Sequence, residues 1–130
     1  MIVTKSISLA CSPRAAWQLL ADGGEWPRWA IRNILTSKPL GENRWEIQTP
    51  RGLGMLHIRG VEASGILDHD FVDAQQGKWT VPARIVPVST GSLFLMTLEK
   101  PAGMPTEVFE QGLKELDDEL AQLARISSSF

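Results

Sequence analysis

Two histidines carry most of the chemical potential of this sequence, and His69 is the better placed. It stands in Leu67-Asp68-His69-Asp70-Phe71, and along an extended chain successive side chains point to opposite faces. His69 therefore shares a face with Leu67 and Phe71, while Asp68 and Asp70 project to the other face with Val72. Apolar neighbours at i−2 and i+2 turn the imidazole inward, where a neutral ring keeps one donor and one acceptor for a ligand or for proton transfer. A core histidine satisfied by a neighbouring backbone group would have the same neighbours. Alternation argues against a metal, because Asp68, His69 and Asp70 on one regular strand cannot converge on an ion. His57 lies with Met55 and Arg59, opposite Leu56 and Ile58. The Leu-Ile side is the better core face, so His57, Asp68 and Asp70 are expected on the solvated side.

Arg84 is the second candidate for chemistry, since it, or a Trp N–H, could steady a developing enolate beside His69. Strict alternation of Trp79, Val81, Ala83 and Ile85 places it outside. A bulge between Pro82 and Pro87, neither of which can donate to a ladder, would reset its face. Turned inward, its guanidinium needs a carboxylate from Asp68, Asp70, Glu99 or a ligand. Cys11, just before a proline-led helix start, reads as a small buried apolar residue. The serines form no G-x-S-x-G elbow, no cysteine pair suits zinc, and neither a P-loop nor G-x-G-x-x-G is present. Arg51-Gly52-Leu53-Gly54-Met55 contains G-x-G but joins strand to strand. Neither a cofactor nor a metal is expected.

The elements that must position these residues follow from periodicity. Ile2 to Leu9 alternates as a strand. Ser12-Pro13 caps a short helix bearing Ala16, Trp17, Leu19 and Leu20, and Gly23-Gly24 stops it. Glu25 to Ala30 offers a second short turn with Trp26 and Trp29 three positions apart. The period then becomes two. Strands are predicted at 34–39, 44–49, 53–61, 66–73, 78–88 and 92–99, separated by Gly-containing turns in the manner of an antiparallel meander. Thr106 then caps a long amphipathic helix to Arg125, with Phe109, Leu113, Leu116, Leu120 and Leu123 on one stripe. That stripe needs a concave partner, which a twisted sheet supplies.

The chain has 130 residues, 43% of them apolar and 22% charged, with one cysteine. These values suit a single globular domain, assigned to 1–126 with a frayed tail at 127–130, and no disulfide framework. Thirteen Lys and Arg against fifteen Asp and Glu, without a basic block, give no footprint for nucleic acid. No apolar run spans a bilayer and no signal-like segment opens the chain, so membrane insertion is not expected and the cytoplasm is the expected compartment.

Strand, two short helices, six-stranded meander and long helix is the order of the helix-grip fold. With Trp26-Pro27-Arg28-Trp29, Leu67-Asp68-His69, Val81-Pro82-Ala83-Arg84 and the Gly103-Met104 turn, the chain resembles small bacterial members of the START-like, or SRPBCC, superfamily, often named polyketide cyclase/dehydrase-like. The resemblance covers nearly the whole chain. It implies an α+β fold in which a seven-stranded antiparallel sheet curls around the C-terminal helix. It also implies an apolar cavity that in many members holds a lipid, sterol, polyketide or other hydrophobic ligand. Trp26 and Trp29 would lie over one end of that cavity. Trp45, His69 and Trp79 from the sheet, Met96 from the last strand, and Phe109 and Leu113 from the helix would line it, with Gly112 leaving room. The expected volume is roughly 300 Å³ or more. A ligand-binding module is the leading expectation. The alternatives are a cyclase, dehydratase or isomerase with His69 as general acid/base, and a co-chaperone-like interaction domain, monomeric or dimeric.

Overall fold

The computed structural model describes residues 1–129, so of the expected frayed tail Phe130 lies outside the described residues. The chain runs β1 (Ile2–Leu9), α1 (Pro13–Leu20), a 3-10 helix (Gly23–Arg28), β2 (Thr36–Gly41), β3 (Arg44–Thr49), β4 (Gly52–Val61), a 3-10 turn (Glu62–Ser64), β5 (Ile66–Val72), β6 (Lys78–Val81), β7 (Ala83–Val88), β8 (Gly91–Glu99) and α2 (Thr106–Ser127). All strand pairs are antiparallel, in the order β1-β8-β7-β5-β4-β3-β2, with β6 added against β5.

Local chemistry accounts for the joints. The Ser12 hydroxyl accepts the Ala15 amide at 3.2 Å and caps α1. Glu42 and Asn43 both take positive φ, 55° and 60°, the backbone twist a tight hairpin turn between β2 and β3 requires. The expected strand 78–88 is broken at Pro82, so one long strand becomes β6 along β5 and β7 along β8. Proline offers no amide to either neighbour. The next amide, Ala83 N–H, donates to the Asp68 carboxylate at 3.0 Å instead of to a backbone carbonyl. α2 begins on Pro105, whose carbonyl accepts the Val108 amide, so Thr106 is the first helical residue and not its cap. The helix runs two residues beyond the expected Arg125. Ser127 is buried, accepting the Ala10 amide at 3.2 Å and donating to the Ala124 carbonyl.

The core lies between the concave face of the sheet and the helices. Leu56, Ile58, Leu67, Val81, Ala83, Phe94 and Met96 from the strands meet Ala16, Leu19 and Leu20 of α1, Trp26 and Trp29, and Phe109, Leu116, Leu120 and Leu123 of α2.

Candidate functional site

His69 occupies the middle of β5, between Ile58 on β4 and Val81 on β6. Its side chain is wholly buried. Nδ1 lies 2.8 Å from the Leu67 carbonyl, and since a carbonyl only accepts, the proton sits on Nδ1. Nε2 is left as a bare acceptor with no partner among the described residues. Burial holds the imidazole neutral, pulling its pKa from 6.5 down to about 4 against the opposing bond to Leu67. His69 is thus an inward histidine held by a backbone group: its ring donor is spent on Leu67, and of the donor and acceptor expected for a ligand only the acceptor, Nε2, is left.

Phe71, His69, Trp26, Trp29 and Phe94 form a continuous series of rings. Trp79 on β6 stands across from Phe71 on β5. Phe71 meets His69 edge to face at 5.4 Å between centroids, and His69 meets Trp26 in the same manner at 4.9 Å. Trp26 is 4.9 Å from Trp29, which in turn meets Phe94 at 6.2 Å. Edge-to-face contact places positive ring edges on negative ring faces, a favourable arrangement. Phe71 and Trp79 are half-buried, as are Met104 and Leu113 on or beside α2, whereas Trp26 and Trp29 are buried. The series therefore runs from a partly exposed rim to the centre of the core.

The expectation of an open cavity needs correction here. The indoles expected over one end of that cavity are buried beside His69, with the Trp26 N–H tied to the Leu20 carbonyl at 2.8 Å. Gly112 is exposed, and a side chain there would meet nothing within 4 Å, so it leaves no room inside. Trp45 is buried two strands from β5, directly over Gly23, where even a Cβ would fall 2.5 Å from the indole. The glycine expected only to stop α1 thus also makes way for a ring. Met96 and Phe109 are buried at the expected interface. Two open grooves lie elsewhere: one of about 670 Å³ between α1 and the Glu62–Ser64 turn, and one of about 380 Å³ beside it, both bordered by Arg14, Trp17 and Glu62.

The convex face holds the polar network. Arg44, His57, Asp70 and Thr80 stand side by side across β3, β4, β5 and β6. Asp70, expected exposed, is 3% exposed. It receives Arg59 through two bonds of 3.1 and 3.0 Å and the Thr80 hydroxyl at 2.7 Å, with His57 3.8 Å away. Burial pushes this carboxyl up, but the Arg59 and Thr80 bonds outweigh it and leave the pKa below the usual range. Alternation chose the face correctly. The long side chains from both neighbouring strands then cover it. Asp68 and His57 stay partly exposed. Arg84 lies on this outer face with Asp68, 2.6 Å from its Oδ1, on the opposite side of the sheet from His69. It secures the strand break at Pro82.

Glu119, to which the sequence reading gave no role, is buried and ties α2 to the segment carrying the indoles. One carboxylate oxygen accepts the Arg32 amide (3.0 Å), the Asn33 amide (3.1 Å) and the Asn33 side-chain amide (3.2 Å). Its neighbour Asp118 takes the Arg32 guanidinium at 2.8 Å. The signal was present: Glu119 lies three residues from Leu116 and four from Leu123, on the flank of the apolar stripe.

No family model and no curated sequence matches the chain. Solved structures do. An uncharacterised protein from Bacillus thuringiensis superposes with a TM-score of 0.78 at 16% identity, over 98% of each chain. A START superfamily protein from Mycobacterium smegmatis gives 0.72 at 15% identity over 99% of each. The di-domain ARO/CYC BexL from the BE-7585A biosynthetic pathway gives 0.77 at 14% identity, over 96% of this chain and 45% of that one. The fold is the START-like helix grip: an antiparallel sheet, short helices early in the chain, and a long C-terminal helix. No helix among the described residues is long and apolar enough to cross a membrane, and no group of three metal-ligating side chains occurs among them.

Proposed function

We propose that this chain binds a small hydrophobic molecule of lipid, sterol, polyketide or aromatic type between the concave sheet and α2, with His69 as the polar anchor. The observation that carries this reading is His69 Nε2, a buried acceptor without a partner inside an aromatic nest. Such an atom costs roughly 1–3 kcal/mol unless something donates to it. Trp79, Phe71 and Leu113 form the half-buried rim, and Trp26, Trp29 and Phe109 the interior wall. Because the rings meet each other directly, entry requires them to part. The START-like fold of the solved neighbours supports the reading at the level of architecture only.

The enzymatic alternative has less support. His69 Nε2 could take a proton, but Arg84 stands on the far face, and chemistry of this kind usually pairs an acid with a base.

The test is direct. Solvent extraction of the purified chain followed by mass spectrometry, and tryptophan quenching by sterols, flavonoids and fatty acids, should reveal saturable binding of at least one class. His69→Leu should weaken that binding while leaving the fold intact. No extractable molecule and no quenching across the panel would overturn the proposal.

A further inference from the structure

Resting on that reading, we infer that the molecule bound beside His69 carries a neutral hydroxyl, as an alcohol or phenol, and not a carboxylate. The Leu67 carbonyl occupies Nδ1–H, so Nε2 can only accept. The group facing it must donate. A carboxylate brings acceptors alone at neutral pH, and its lone pairs would oppose that of Nε2.

The interior also lacks a compensating cation. Among the described residues the buried polar and charged side chains are His69, Asp70, Ser92, Glu119 and Ser127, with no lysine or arginine. Asp70 is committed to Arg59 and Thr80 on the outer face, and Glu119 to the Arg32 and Asn33 amides. A charge of either sign carried into the nest would stay uncompensated, and burying such a charge is strongly unfavourable.

A second unpaired group has the complementary character. The Trp29 indole N–H is a buried donor without a partner among the described residues. Its ring is one neighbour beyond Trp26 in the series that starts at His69. A hydroxyl donates to the bare acceptor and still keeps an acceptor of its own, so it adds no further unmet donor to an interior that already holds one. Apolar rings cover the remainder.

Three bicyclic probes of one shape separate the possibilities: 2-naphthol, naphthalene and 2-naphthoate, titrated calorimetrically into the intact chain at pH 7.5. The expected order places 2-naphthol about tenfold tighter than either other probe, the advantage of roughly one neutral hydrogen bond. His69→Leu should lower 2-naphthol to the level of naphthalene without weakening naphthalene. In the unaltered protein, the ¹⁵N resonance of His69 Nε2 should shift with 2-naphthol and not with naphthalene, a readout independent of whether the variant folds. Naphthoate binding as tightly as naphthol, a naphthol preference surviving in His69→Leu, or an unmoved Nε2 resonance would overturn the inference while leaving hydrophobic binding in place. If none of the three binds, this inference falls, while the binding reading stands or falls on the extraction and quenching panel.

Discussion

Placing the His69 imidazole between Trp26 and Phe71 strips it of water, and the result is a pH-dependent contribution to stability. The folded chain holds the ring neutral down to about pH 4, whereas the unfolded chain protonates it near 6.5. Between those values the unfolded state binds the extra proton, so stability falls as pH drops from 6.5 to 4, by up to about 3 kcal/mol. Urea denaturation of wild type and His69→Leu across pH 4–7 should show this slope in the first and not in the second. Glu119 has the opposite sign. Burial raises its carboxyl above the ordinary 4.5, opposed by the Arg32 and Asn33 bonds, so its contribution weakens as pH climbs through the raised value. Removing the side chain is a different matter, because Glu119→Ala takes an acceptor from three N–H groups, of which the Asn33 backbone amide alone keeps another, the Ala30 carbonyl at 3.1 Å. That variant should lose about 2 kcal/mol at pH 7, and Glu119→Gln, which keeps a carbonyl, clearly less.

The break between β6 and β7 is an element held by side chains. Pro82 interrupts the ladder, Asp68 supplies the acceptor that Ala83 N–H lacks, and Arg84 holds Asp68 in place. Asp68→Ala should therefore cost about 1–2 kcal/mol. Arg84→Ala should cost under about 1 kcal/mol, since its guanidinium is well exposed. Denaturant midpoints of the two variants test that order. The strands themselves were legible from alternation, including the inward face of His69, and the long helix from its leucine spacing. Alternation could not give what covers a face, and this hid the burial of Asp70 beneath Arg59 and Thr80. Nor could it say which rings fill the concave side: Trp26 belongs to a segment with no period of its own, so its contact with His69 follows from how the segment is tied to α1 and α2. The same limit made an open cavity look natural.

At the scale of the whole molecule the sheet is open, with β1 and β2 at its ends. An unpaired strand edge invites a second chain, and charged or proline residues blunt it. On β2 these are Lys38 and Pro39, both exposed. Replacing them together, Lys38→Val and Pro39→Thr, should produce concentration-dependent self-association, seen as a shift to higher mass in size-exclusion chromatography with light scattering. Unchanged mass at high concentration would show that β2 is protected by other means.

The pairing of β1 with β8 has a consequence for the order of events in synthesis. Ile2 lies opposite Glu99 and Leu9 opposite Ser92, so of the eight strands the one made first waits for the one made last. Until then its apolar residues have no sheet to join, and the Ser127 hydroxyl that receives the Ala10 amide is made later still. Closing so long a loop is entropically slow. Until residue 99 is made, β1 thus stays unmatched, a stretch for chaperones to hold, and arrest-peptide force profiles should show the main pull only after residue 99 has cleared the exit tunnel.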